Sequence, residues 1–173
     1  MTLFVSGSRS IKVLPQKAEG ELNQAIAVRE LILVGDCYGV DTLVQQHCKD
    51  QGYTRVRVYH IGLKPRNNLG FNTVAARGSH YYDKDILMAR DADRGLVVWD
   101  GQSKGSQANI ARLHAANKSM IIIAPECCSE CGGSGYVPDG QGGGEFCGCG
   151  GAKGPWSRQE VSAAEVHEGG VEW

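Results

Sequence analysis

The stretch GLVVWDGQSKGSQANIARLHAANKSMIIIAP, residues 95–125, decides the fold class because a strand, a helix and a second strand follow one another in it. Its first part is a short apolar run that ends at Asp100, and its last part contains the run MIII. A glycine-rich loop between them leads into a segment with helical spacing. Continuous apolar runs are typical of strands covered on both faces, as in parallel sheets. The stretch therefore predicts a β-α-β unit with parallel strands.

The same alternation extends towards the start of the chain. Three more strands are predicted by apolar runs at LFV (3–5), LILV (31–34) and RVRVYHIG (55–62). Three more helices are predicted at LPQKAEGELNQAIAV (14–28), VDTLVQQHCKDQG (40–52) and YYDKDILMARDAD (81–93). Residues 61–80 show no clear period. The pattern predicts a Rossmann-like, doubly wound α/β fold with a mainly parallel sheet of five or slightly more strands.

The composition of the chain changes after Pro125. Residues 126–173 hold 13 of the 24 glycines and five of the seven cysteines. This segment lacks the apolar pattern of a further β-α unit. We therefore divide the chain into an α/β domain over residues 1–125, a cysteine- and glycine-rich module over 126–154, and an acidic tail over 155–173.

Charge is distributed unevenly between these parts. Residues 1–125 carry 16 Lys and Arg against 11 Asp and Glu, a net charge of +5, whereas residues 126–173 carry 2 against 8, a net charge of −6. The first part therefore suits an anionic ligand, and the near-neutral whole chain disfavours nucleic acid as the partner. No signal-peptide pattern is visible, and no apolar run approaches the roughly 18 residues of a membrane span. We expect a cytoplasmic protein without a membrane partner.

Three glycine-containing loops follow predicted strands and define the candidate ligand site. Parallel strands place these loops at one edge of the sheet, where ligands of such folds bind. Glycine lets the backbone approach a ligand closely, and the N–H groups at a helix N-terminus suit a phosphate. The candidate ligand-binding residues are Gly7, Ser8, Arg9, Gly35, Asp36, Gly39, Val40, Asp41, Asp100, Gly101, Ser103, Lys104, Gly105, Ser106 and Asn109.

Each loop also has a purely structural interpretation. The tripeptide Gly7-Ser8-Arg9 could be a tight turn with a solvated arginine. Asp41 could cap the following helix or bond a ribose hydroxyl or a base, and Asp36 is the better ligand-facing candidate because the helix does not need it. Ser106 could cap the helix that follows the third loop. The third loop does not have the residue spacing of a P-loop.

Taken together, these residues resemble the SLOG superfamily, the Rossmann-like group of the DprA and LOG proteins, and in particular its small YspA-like members related to YpsA. The resemblance rests on GSR (7–9), on Gly35-Asp36 with Gly39-Val40-Asp41, and on YDKDILMARDADRGLVVWDGQSKGSQANI (82–110). It covers residues 3–123. It implies a Rossmann-like domain that binds nucleotides or nucleotide-derived ligands and, by analogy, forms a homo-oligomer.

The resemblance implies binding more than catalysis. LOG enzymes cleave the bond between a base and ribose 5′-monophosphate, and their catalytic loop has a glutamate where this sequence has Asn109. Asparagine cannot act as a general base. The arginine on the preceding LOG helix has no obvious counterpart among Asp83, Lys84 and Asp85. The resemblance therefore favours a sensor or sequestering protein for a nucleoside phosphate or an ADP-ribose-like molecule.

Two alternatives stay open. The first is a hydrolase or transferase acting on the glycosidic bond of a nucleoside phosphate or nucleotide sugar, with Asp36, Asp85 or Asp100 as the catalytic carboxylate. The second is a DprA-like nucleic-acid-binding module. The charge balance and the lack of interleaved aromatic and basic residues disfavour the second alternative.

Four cysteines in residues 126–154 have the pattern of a metal site. Cys128 and Cys131, with the glycines that follow, resemble one half of the repeat in the DnaJ-type cysteine-rich zinc domain. Cys147 and Cys149 follow after fifteen intervening residues. Four thiolates make a closed tetrahedral site, so we expect a structural zinc ion. A redox-active cluster or an oxidisable segment without metal is the alternative, and Cys127 could replace Cys128.

Several other side chains have two interpretations. Cys37 could be a reactive thiol or a buried, unreactive one. Trp99 could stack on a base or pack at the end of its strand. Four residues of the irregular stretch could line the pocket or be solvated: Lys64, Arg66, Asn67 and Asn68.

Overall fold

Six parallel strands form the central sheet of the α/β domain. The computed structural model describes residues 1–124 and two further strands in the cysteine module. The strands of the sheet are β1 (Thr2–Gly7), β2 (Leu31–Gly35), β3 (Val56–Ile61), β4 (Asn72–Ala76), β5 (Arg94–Val98) and β6 (Met120–Ile123). The helices between them are α1 (Gln16–Ala27), α2 (Val40–Asp50), α3 (Asp83–Asp91) and α4 (Lys104–Ala115).

The strands lie in the order β4-β3-β2-β1-β5-β6, and residues alternate along them to build two cores. Leu3 and Val5 belong to the core that packs against α1 and α2. Phe4 and Leu33 belong to the core that packs against α3 and α4. Because both faces of the sheet are covered, the inner strands β1, β2 and β5 contain continuous apolar runs at 3–5, 31–34 and 96–98. The predicted Rossmann-like, doubly wound α/β class is confirmed.

The strand β4 is the element that the sequence pattern did not predict. It lies at an edge of the sheet, and three of its five residues are exposed, so it carries no continuous apolar run. Residues 62–71 join it to β3 without a helix. The buried side chain of Gln45 holds this connection, because its amide donates to the Gly35 carbonyl at 3.2 Å and accepts from the Leu69 N–H at 3.0 Å.

The structure corrects two expectations about helix starts. Ser103 rather than Ser106 caps α4, because the Ser103 hydroxyl accepts a hydrogen bond from the Ser106 N–H at 3.5 Å. Gly39 precedes α2, and Asp41 lies in the first turn of that helix instead of capping it. The Asp41 carboxylate accepts from the Cys37 N–H at 3.0 Å. Ser106 and Asp41 are both buried, so neither acts as an exposed cap.

Beyond residue 124, the described part of the chain consists of two antiparallel strands, β7 (Tyr136–Pro138) and β8 (Gly144–Phe146). The four expected zinc ligands, the alternative ligand Cys127 and the acidic tail lie outside the described residues. None of the helices described is both long and apolar enough to cross a membrane.

Candidate functional site

The strand order places a topological switch point between β1 and β5. From β1 the chain winds outward through β2, β3 and β4, and it then returns through α3 to place β5 on the other side of β1. The loop after β1 leads to α1 on one face of the sheet, and the loop after β5 leads to α4 on the other face. Ligands of open α/β sheets bind at such a topological switch point.

Ser8 ties together the loops that follow β1 and β5. Its side chain is fully buried, its N–H donates to the Val98 carbonyl at 2.9 Å, and its hydroxyl accepts from the Asp100 N–H at 3.1 Å. The Ser10 hydroxyl donates to the Asp100 carboxylate at 2.5 Å. Gly7 leaves no room for a side chain because a Cβ there would collide with the Val98 carbonyl. The two loops are therefore fixed against each other.

Asp100 organises the loop after β5. Its carboxylate also accepts from the N–H groups of Gln102 at 2.9 Å and Ser103 at 2.8 Å. Burial opposes ionisation, but the bonds from Ser10 and from these two N–H groups outweigh it and hold the pKa of Asp100 below its ordinary value. A carboxylate that is ionised and already accepts several hydrogen bonds is a weak general base.

Three serine hydroxyls meet at the N-terminus of α4. The Ser106 hydroxyl is buried and lies 3.4 Å from the Ser8 hydroxyl and 3.3 Å from the Ser103 hydroxyl. A Cβ placed on Gly105 would meet only Ser103 Oγ, at 4.0 Å, so the space at Gly105 is open. Lys104 is exposed beside it. Hydroxyls, first-turn N–H groups and a lysine are the groups that bind a phosphate at a helix N-terminus.

The loop after β2 packs against the loop after β1. Gly39 has a φ of +78°, and a Cβ there would lie 2.6 Å from Arg9 Cα and 2.7 Å from the Ser8 carbonyl oxygen. Val40 is fully buried against Gly7, while Arg9 is exposed. The structure thus brings all three predicted loops together at one edge of the sheet. Gly101, with a φ of +78°, shapes the third of them.

Asp36 is held by an arginine that the sequence pattern did not connect to it. Arg66 donates to both carboxylate oxygens, through Nη2 at 2.6 Å and through Nε and its backbone N–H at 3.0 Å. Burial opposes ionisation of Asp36, which is 1% exposed, but Arg66 outweighs burial and lowers its pKa. Arg66 also lies 4.4 Å from the centre of the exposed Tyr81 ring. Asp36 therefore anchors the loop of residues 62–71 instead of presenting a free carboxylate.

A buried ion cluster lies at the carboxyl end of β2. Lys84, in the first turn of α3, is 4% exposed and donates to Asp85 at 2.7 Å. Burial lowers the pKa of Lys84, but Asp85 and Asp41 outweigh it and raise the pKa, so the lysine stays charged. Gly35 makes room for this cluster, because a Cβ there would lie 2.7 Å from Lys84 Nζ and would collide with the Asp41 carboxylate.

The carboxyl group of Asp41 titrates close to neutrality. Burial raises its pKa to about 6, although Lys84 and the Cys37 N–H lower it in part. Perturbed carboxyl groups of this kind gather at functional sites. The sequence pattern missed Lys84 as a site residue. Helical spacing could have indicated that Lys84 is buried, because it places Lys84 on the same side of α3 as Met88 and Ala89.

The hydroxyl of Ser6 has no hydrogen-bond partner and lies on the face of the sheet that packs against α3. Ser6 is buried on β1, and its Oγ has no hydrogen-bond partner. Alternation along the strand places Ser6 on the face of Phe4, which packs against α3 and α4. The pairing of Val5 with Val34 makes Gly35 its neighbour on β2. Ser6 thus lies beside the residue that contacts Lys84, and a buried polar atom without a partner suits a ligand.

Asn109 is on the inner side of α4 and is 4% exposed. Its side-chain oxygen accepts from Arg112 at 2.7 Å, and the Arg112 guanidinium lies 6.0 Å from the centre of the Tyr82 ring. The Asn109 amide is therefore fixed by Arg112 on the inner side of α4. Trp99 packs at the end of its strand, and its indole N–H donates to the Ser103 carbonyl at 3.0 Å.

The two cysteines of the α/β domain are not activated. Burial raises the pKa of Cys37, and the nearby Asp41 raises it further. Burial raises the pKa of Cys48 to about 12. Both thiols are therefore protonated at neutral pH, which agrees with the inert interpretation of Cys37. Among residues 1–124 and the two strands of the module, no three His, Cys, Asp or Glu side chains are placed to hold a metal ion.

Comparison of the chain with family models, with curated proteins and with solved structures gives no significant match.

Proposed function

We propose that the α/β domain is of SLOG type and binds a nucleoside phosphate or an ADP-ribose-like molecule, as a sensor or sequestering protein. The binding site is the loop edge at the switch point between β1 and β5. The observation that carries the proposal is the cluster formed by the hydroxyls of Ser8, Ser103 and Ser106 at the N-terminus of α4. Such a cluster lies where the switch-point geometry favours an anionic ligand.

The ligand's phosphate would occupy the open space at Gly105, where Lys104 is exposed. The polar groups further along the edge would then meet the sugar. Lys84 and Asp41 are charged groups buried there, and Ser6 has a free hydroxyl. Lys84 is paired with Asp85, whereas burial raises the pKa of Asp41, as is typical of functional carboxyl groups. Their concentration at the ligand edge supports a binding role for this cluster.

Isothermal titration calorimetry against AMP, ADP and ADP-ribose tests the proposal. We expect Ser106→Ala to weaken binding about tenfold, because one hydrogen bond to a charged oxygen is lost. Ser119→Ala removes the same group from an exposed position before β6 and serves as the control. Absence of heat at millimolar ligand with a folded protein would refute the proposal, and so would an equal effect of the two variants.

A glycosidic-bond hydrolase or transferase is the second candidate, and Asp41 favours it. Its pKa of about 6 suits proton transfer near neutral pH. Asp36 and Asp100 are less suitable because both are ionised and hydrogen-bonded. Asp85 is paired with Lys84. Chromatography of the calorimetry samples distinguishes the candidates, since free base or ribose phosphate appears only if the bond is cleaved.

We also propose that the cysteine module binds one structural zinc ion. The strand pairing supports this, because Tyr136 lies opposite Phe146. Cys147 follows Phe146 directly in the chain, and four residues separate Cys131 from Tyr136. Both cysteine pairs therefore adjoin the same end of the β7-β8 ribbon along the chain. The module's sequence is rich in glycine between the cysteines, and a metal would supply the stability that such a composition does not.

Atomic emission of the purified full chain is expected to show about one zinc per chain. Cys131→Ser removes a thiolate ligand and should abolish stoichiometric zinc. Cys37→Ser changes a thiol of the α/β domain and should leave the zinc content unchanged. Zinc that is absent from the intact chain, or retained in full by Cys131→Ser, would contradict the proposed ligand set.

A further inference from the structure

The strand β4 forms an edge of the sheet that carries none of the usual protective residues. Its sequence, Asn-Thr-Val-Ala-Ala, contains no charged residue and no proline, and three of its five residues are exposed. Edge strands of natural proteins are usually guarded by charges, prolines or bulges, because their free N–H and C=O groups pair with other strands. The edge at β4 is therefore open to a further strand.

Two open depressions adjoin β4, one near each end. The depression near the amino end has a volume of about 250 Å³ and extends from Asn72 across Arg57 of β3 to Leu31 of β2, with Arg55 also in its lining. The depression at the carboxyl end has a volume of about 450 Å³, and its lining includes Ala75, Ala76, Arg77, Arg90, Ile86 and Leu87. Ile86 is 49% exposed, so the second depression offers apolar surface to a side chain.

The groove made by β4 and these depressions is positively charged. Its four arginines, at positions 55, 57, 77 and 90, are all exposed. The carboxylates beside them are Asp83, which lines the second depression, and Asp91, which pairs with Arg90 at 2.8 Å. Four cations against two carboxylates leave an excess of positive charge, with two arginines at each end of the strand.

We propose that this groove binds an extended acidic segment of a partner protein, which adds to the sheet as a seventh strand. Main-chain hydrogen bonds to β4 would provide affinity, as in other cases of strand addition. Alternate side chains of the segment would point to one face, so apolar ones enter against Ile86 and Leu87. Carboxylates towards the ends of the segment would meet the arginines.

The charge pattern argues against a second copy of the chain at this edge. An antiparallel pair of β4 strands would place Arg77 and Arg90 of one copy opposite Arg55 and Arg57 of the other. Like charges across such a pair are unfavourable. The acidic tail of the same chain is the competing occupant, because the residues after β6 are numerous enough to reach the opposite edge of the sheet. Hydrogen exchange of the free chain tests for it.

Fluorescence anisotropy tests the proposal with the full chain and a labelled synthetic peptide in which glutamates alternate with valines and threonines. A control peptide of equal charge has prolines in place of the valines, so it cannot pair as a strand. We expect the first peptide to bind and the second not to bind. Arg77→Glu should weaken binding about tenfold, whereas Lys49→Glu, an equal charge change on α2, should not. Hydrogen exchange of residues 72–76 should slow on binding.

Equal binding of the two peptides, or no binding at millimolar peptide, would overturn the proposal. So would a dimer in sedimentation that Arg77→Glu stabilises by removing the like charges, since a second copy would then occupy the edge. Slow exchange of residues 72–76 in the free chain, accelerated by Arg77→Glu, would assign the edge to the chain's own acidic tail.

Discussion

Replacing Gly39 with alanine is expected to destabilise the protein by about 2–4 kcal/mol and to abolish ligand binding. Its φ of +78° and ψ of −132° lie in a region that only glycine adopts without strain. The added Cβ would also lie 2.6 Å from Arg9 Cα and 2.7 Å from the Ser8 carbonyl oxygen. These are backbone atoms, so no rotamer change relieves the contact, and the loops after β1 and β2 must separate. Urea unfolding and calorimetry measure the two effects.

Two other glycines serve as controls for this variant. Gly52 has a φ of +64° with open space around it, so alanine there adds strain without a collision and should cost about 1–2 kcal/mol. Gly20 lies inside α1 with no neighbour within 4 Å of an added Cβ, so alanine there should stabilise by about 0.5–1 kcal/mol. If Gly39→Ala costs no more than Gly52→Ala, the loops after β1 and β2 are not in contact.

Replacing Lys84 with methionine is expected to destabilise the protein by about 3–5 kcal/mol at pH 7. The variant removes the cation of a buried cluster and leaves Asp41 and Asp85 without it. Methionine retains most of the apolar length of the lysine stem, so lost packing contributes little. The double variant Lys84→Met with Asp41→Asn should recover part of the loss, because one buried carboxylate is then neutral. Unfolding curves of the three variants measure this coupling.

The same cluster predicts how stability depends on pH. The pKa of Asp41 is about 6 in the folded protein, above its unfolded value of about 3.9. The folded state therefore binds the proton more tightly, and stability falls by about 3 kcal/mol as pH rises from about 4 to about 6. Asp36 and Asp100 have lowered pKa values, so their stabilisation is lost only as pH falls below about 4.

Asp41→Asn isolates this contribution, because the amide oxygen can still accept the hydrogen bond from the Cys37 N–H. We expect the decline in stability between pH 4 and pH 6 to disappear in this variant. A decline of unchanged size would mean that the Asp41 carboxyl is not buried in the folded protein. The loss of stability caused by Lys84→Met should be smaller at pH 5 than at pH 7, because Asp41 is protonated at pH 5.

The sequence predicted the central sheet and its helices because their signal is local. Continuous apolar runs and helical spacing identify β1, β2, β3, β5 and β6 with the helices between them. The strand β4 escaped prediction for a physical reason. An edge strand with an exposed side needs few apolar residues. Pairing with β3 holds β4, and the buried Gln45 holds the connection that leads into it. Neither interaction leaves a periodic pattern.

The loops of the candidate site were predicted from glycines and strand ends, and the structure places all three together. The partners of their charged residues were not predicted. Asp36 binds Arg66, thirty positions later. Lys84 lies beside Gly35 although it belongs to α3, which follows β4 in the sequence. Pairs so distant in sequence have no local signature, because only the winding of the sheet brings them to one edge.

The sequence by itself determined the doubly wound α/β class and the edge at which the loops gather, and its composition predicts a separate cysteine-rich module. These follow from the period of the apolar residues and from composition, which each segment carries in itself. Only the tertiary structure decided the partner and the ionisation of each carboxylate at this edge. It paired Asp36 with Arg66, fixed Asp100 by hydrogen bonds and left Asp41 buried near Lys84. Burial and long-range pairing set the state of a titratable group, and both exist only once the strands have assembled.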